Sequence, residues 1–130
     1  MAEEWALGHL GLAVRASVRW LGSLDIDDLA AWSPERDSWE LGLRILAGPE
    51  GGPGEESFDV MVCSIGWLAE RLRRDAVVDG RHRLFVERFD WPVLRANIER
   101  RVRECEGPTW TDVAEKLARL GYWEFEDYRP

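Results

Sequence analysis

Metal and thiol chemistry have little to work with in this chain of 130 residues, which holds two histidines and two cysteines. Metal sites gather His, Cys or carboxylate ligands at short spacings. His9 and His82 lie far apart and outside any HxxxH or HxxE pattern, so both read as surface residues and no metal is expected. Cys63 and Cys105 form no CxxC pair, and free, buried thiols in a reducing cytosol are the default for such residues. Cys63 with His82 is the one thiol–imidazole pairing to weigh, against the commoner packing role of a cysteine that ends a strand. No serine sits in a GxSxG elbow, and Ser64 falls in CSIG. The loop GPEGGPGEE contains neither GxGxxG nor a P-loop, and Glu50, Glu55 and Glu56 would repel a phosphate there. No cofactor is expected. Carboxylates are numerous enough for a two-carboxylate hydrolase, yet no spacing selects one pair over another.

Long apolar runs are missing too. No stretch approaches the roughly 18 apolar residues of a membrane helix. The N-terminus has no basic region leading into an apolar run, so neither a signal peptide nor a membrane span is expected, and the expected location is cytoplasmic. Lysine is nearly absent. Lys116 stands alone among 17 basic residues, which fits a genome biased toward GC-rich codons. The net charge is −8 and the isoelectric point is near 4.8. Nucleic acid needs a basic face, and an anionic membrane attracts basic segments, so neither partner is expected. A basic protein is the suited partner, because charge complementarity raises on-rate and selectivity. Plain solubility is the simpler account of the same charge. Residues 1–60 carry 12 acids and 4 bases, whereas residues 61–108 carry 8 acids and 10 bases. An electrostatic surface therefore belongs to the N-terminal half and the tail.

What the chain does have is alternation. Trp39, Leu41, Leu43, Ile45 and Ala47 recur at a spacing of two, as do Phe58, Val60 and Val62. Both runs predict strands buried on one face, joined by the Gly- and Pro-rich loop. Leu12, Val14, Ala16, Val18 and Trp20 predict an earlier strand of the same kind, after a lead-in over residues 1–10. Between them runs DIDDLAAWSPERD, an acidic connector with one helical turn before Pro34. Two readings stand for it: an acidic lip around the aromatic anchor Trp32, or a solvated loop pinned by one buried indole.

Ser64 predicts the cap of a helix to Arg74, with Ile65, Leu68, Ala69 and Leu72 as its buried stripe and Arg71, Arg73 and Arg74 in water. A strand follows from His82 to Phe89. Asp90 then caps a helix with Pro92 in its first turn and Leu94, Ile98, Val102 and Cys105 inward. Thr109 and Asp112 resemble a capping box for a third helix, carrying Val113, Leu117 and Leu120. In the tail, residues 123–130, Trp123 and Phe125 alternate with Glu124 and Glu126, so a short edge strand or an extended tail laid on the core is expected, with both acids in water. The sum is one α+β domain over residues 1–130, with a largely antiparallel sheet of four to five strands and about three helices on one face.

An ordered set of segments carries a resemblance. SWELGLRILAGP begins at Ser38, SFDVMVC at Ser57 and IGWLA at Ile65; RLFVERFD begins at Arg83, Thr109–Trp110 opens the last helix, and WEFEDY closes from Trp123. Together, over residues 12–128, the set resembles the immunity protein 8 family of bacterial polymorphic toxin systems. One departure is Ile65–Gly66 before Trp67, where a helix start containing proline would match better. The resemblance implies a non-enzymatic, single-domain cytosolic protein that binds and neutralises a cognate toxin encoded beside it. It carries over no binding residues. Physical reading supplies them: the acids Asp25, Asp27, Asp28, Glu35 and Asp37 around Trp32, and Trp123, Glu124, Glu126 and Asp127 in the tail. These would meet Arg and Lys of a basic toxin domain, for instance a nuclease. For Trp123 a core role is the simpler one. The alternatives are a regulatory or scaffolding module for another basic protein, and a carboxylate-dependent hydrolase.

Overall fold

The computed structural model describes residues 13–126. The lead-in, Leu12, His9 and Asp127 lie outside the described residues. Nine elements follow in order. They are strand β1 (Val14–Gly22), β2 (Glu40–Pro49), β3 (Glu56–Ser64), helix α1 (Ile65–Arg74), β4 (Arg83–Val86), α2 (Trp91–Arg103), β5 (Glu106–Gly107), α3 (Trp110–Leu117) and β6 (Tyr122–Trp123). The sheet has six strands in the order β4-β3-β2-β1-β5, with β6 also paired to β3.

Alternation sets the core. Val14 and Ala16 of β1, Leu41, Leu43, Ile45 and Ala47 of β2, and Phe58, Val60 and Val62 of β3 are all buried on one face. Leu94, Ile98 and Val102 of α2 and Trp110, Val113, Ala114 and Leu117 of α3 complete the same cluster. The expected caps form. Asp90 accepts from Val93 N, Pro92 occupies the first turn of α2, and Thr109 accepts from Asp112 N. The domain is α+β, as expected, but the sheet is mixed. β3 and β4 run parallel, because the intervening segment is a helical crossover rather than a hairpin turn. β4 also stops at Val86, short of the expected Phe89, whose ring turns inward to pack on Trp32, Trp39 and Trp91.

Two expectations fail at the level of single faces. The first is Trp20, expected inward with Val18. Val18 pairs with Ala47 and Trp20 with Leu46, so Arg19 is an extra residue, a β-bulge. The bulge reverses the alternation: Leu21 turns inward and Trp20 turns out, 41% exposed. The second is α1. Most of its expected stripe faces solvent, with Ile65 52% and Leu72 47% exposed, Ala69 exposed and Leu68 half-buried, and its buried residue is Trp67. Trp67 lies outside the main core, beneath the guanidinium groups of Arg71 and Arg83. Arg83 pairs with Met61 in the sheet, on the face that alternates with the core residues Val60 and Val62. The start of α1 is pinned from the other side. A Cβ on Gly66 would stand 2.6 Å from the Asp37 carbonyl oxygen, so only glycine admits this contact.

Candidate interaction surface

The sheet face away from α2 and α3 is open. Gly42, Arg44, Asp59 and Met61 point out of β2 and β3 and form the floor of a groove of about 650 Å³. Leu24 and Asp25 stand at one lip; Asp79, Arg81, His82, Arg83, Tyr122 and Glu126 stand around the rest. Leu24 is 69% exposed, and Tyr122 is exposed too. The arginines are committed. Arg44 Nε and Nη2 reach Asp59 Oδ1 and Oδ2 at 2.8 and 2.9 Å, a forked cross-strand pair. Arg81 Nη2 donates to Glu126 Oε2 at 2.6 Å, and Arg83 donates to the Asp79 carbonyl.

Glu126, expected in water, has a side chain only 11% exposed. The short tail strand pairs with β3, and the turn after it places Glu126 Oε1 3.4 Å from His82 Nε2. His82 is likewise no surface residue. Its ring is half-buried, its Nε2 donates to the Ala118 carbonyl at 2.7 Å, and its backbone adopts φ 59°, a left-handed conformation unusual outside glycine.

The other expected contact residues scatter. Asp27 and Asp28 sit across the connector from Asp25, in a second depression of about 430 Å³. Trp20, Trp91, Arg95 and Glu99 line the same depression. Glu35 and Asp37 are exposed at the end of the connector, beside α1, where Ser38 donates to Glu70. Glu124 is exposed near the start of β3 and accepts from Ser57 N at 2.9 Å. Trp32 packs edge-on against Trp39 and Phe89, with centroids 5.7 and 4.7 Å away, so it is the indole that pins the loop. Trp123 stacks on Phe58 at 6.3 Å and is part of the core. Leu24, Tyr122 and Trp20 were not among the expected contacts. The Arg44–Asp59 pair was legible from the hairpin, since both are outward positions on neighbouring strands. Trp20 was not, because nothing local marks the bulge.

The nucleophile candidates are quenched. Ser64 Oγ accepts from Trp39 N and Trp67 N at 3.0 Å each and donates to the Asp37 carbonyl at 2.7 Å, using its full bonding capacity. Cys63 is fully buried, and burial, aided by Glu40, pushes its thiol up to about 11. An activated thiol moves the other way. Among the described residues no group of three or more His, Cys, Asp or Glu is arranged to hold a metal ion. No described helix is long and apolar enough to cross a membrane.

No curated protein and no solved structure matches the chain. A family model, immunity protein 8, matches residues 16–128. That span takes in every element from β1 through β6 except the first residues of β1, so the match is to the whole fold and not to one motif. The chain belongs to the immunity protein 8 family.

Proposed function

We propose that this protein binds and neutralises the cognate toxin of a bacterial polymorphic toxin system in the cytoplasm, protecting the producer or its kin by covering a surface the toxin needs. The observation that carries the reading is the open sheet face. Exposed Leu24 and Tyr122 flank a groove in which Arg44 and Arg81 are already ion-paired. Contact surfaces combine a central apolar area with a polar rim. Charges that already have partners are cheaper to cover than free ones, because the covered charge is compensated. Membership of the immunity family supports the same reading.

The proposed action is binding rather than catalysis, and in support the hydroxyl of Ser64 and the thiol of Cys63 are both tied up in the fold. The toxin is a basic domain, for instance a nuclease with a cationic cleft. Asp25 at the lip of the groove, with Asp27 and Asp28 across the connector, stands in for phosphates at that cleft. Co-expression with the toxin encoded next door tests this. Cells survive and a stable complex co-purifies; death of cells that hold soluble protein, with no complex, overturns the reading.

A further inference from the structure

We infer that the depression beside Trp20 receives a single arginine or lysine side chain of the toxin. The inference rests on the immunity reading and names the partner chemistry at one place on the surface.

The depression of about 430 Å³ is bounded by the end of β1, the connector and α2. Its one aromatic wall open to solvent is Trp20, turned outward by the bulge at Arg19. Bulges commonly re-aim a side chain next to a functional site. The indole is also seated: a Cβ on Gly22 would lie 2.8 Å from the Trp20 ring, so only glycine lets the ring lie there. An aromatic fixed before binding loses little rotamer freedom when a partner arrives.

Two arginines line the depression, and Arg19 turns its guanidinium to the carbonyls of Pro49 and Gly52, at 2.6 and 2.5 Å. Arg95 is taken up by Glu99, with Nε 2.8 Å from Oε1. Asp27 and Asp28 have no ion pair among the described residues, and Asp28 Oδ1 accepts only a backbone N–H, from Ala31 at 3.3 Å. Both aspartates are held in place. Ser23 Oγ accepts from Asp25 N and Ile26 N at 3.0 and 3.2 Å, and buried Leu29 anchors the far side. A cation entering here meets an indole face and two carboxylates together. That combination suits a guanidinium or ammonium group on an apolar stem. A carboxylate or an apolar side chain would leave both aspartates covered and unpaired.

The test has two arms. In the first, N-acetyl-arginine amide is titrated while the indole N–H signals of the tryptophans are followed by NMR. The Trp20 signal shifts and saturates, N-acetyl-glutamate amide leaves it in place, and Asp27→Asn with Asp28→Asn abolishes the shift. No shift with the arginine probe, or one that survives both substitutions, overturns the proposal. In the second arm, binding of the toxin is measured for variants whose thermal melts match the wild type. Trp20→Ala weakens it roughly tenfold, in the range of a desolvated cation–π contact. Gly22→Ala, which only unseats the ring, weakens it in the same direction. Wild-type affinity in Trp20→Ala rejects the site while leaving the immunity reading intact. Absence of any toxin binding rejects the immunity reading, and the first arm still reports on the site.

Discussion

Ser64 is the residue on which three segments meet. Its hydroxyl joins the connector at Asp37, the start of β2 at Trp39 and the first turn of α1 at Trp67, from a position 1% exposed. Ser64→Ala removes a helix cap at Trp67 N, worth about 1 kcal/mol, and strands a second, half-buried donor, Trp39 N, at a cost of about 1–3 kcal/mol when unsatisfied. Chemical denaturation is expected to show a loss of about 2–3 kcal/mol. Next to it, Cys63 sets a pH dependence. The folded thiol holds its proton to about 11, whereas an ordinary thiol releases it near 9.0. The contribution is therefore present in full below pH 9 and is lost as pH rises toward 11. In denaturant melts across that window, Cys63→Ala should flatten the decline. The cap at Ser64 was readable because a capping serine acts on its own next turn. The burial of Glu126 was not, because Arg81, which pairs with it, lies more than forty positions earlier.

Among the elements, α1 reverses the usual assignment of faces. A helical stripe of apolar residues normally marks the buried side, yet here Trp67 alone is covered while Ile65 and Leu72 face water. Trp67→Ala should cost about 3 kcal/mol or more, as a deleted large aromatic does. Ile65→Ser and Leu72→Ser should each stay within about 0.5 kcal/mol, as surface changes do. Equal losses at all three positions would show that the stripe is buried after all. The long strands and the capped helices α2 and α3 were legible because their period and their caps are local properties. The parallel setting of β4 and the outward turn of Trp20 depend on how segments meet. A crossover and a single extra residue decide them, and neither leaves a periodic mark.

Over the whole molecule, charge governs the approach of a partner. The net charge of −8 is concentrated before residue 61, where the connector and two of the longest strands lie. For a basic toxin, kon should fall as ionic strength rises while koff changes little, because screening acts on encounter more than on the docked pair. Stopped-flow association across a salt series checks this; a kon independent of salt would remove the electrostatic part of the reading. The sheet itself has a further consequence, one of timing. Two-residue strands that come late in the chain close the edge of β1 and the part of the β3 edge that β4 leaves open. β5 covers β1 at Val14–Arg15, and β6 covers β3 at Phe58–Asp59. A nascent chain that has reached only residue 105 already owns its four longest strands but leaves both edges without their final covers. Such edges invite pairing with other chains. Synthesis of the last fifth of this sequence is thus the interval in which the protein is most exposed to aggregation, and a cell that slows translation there prolongs it.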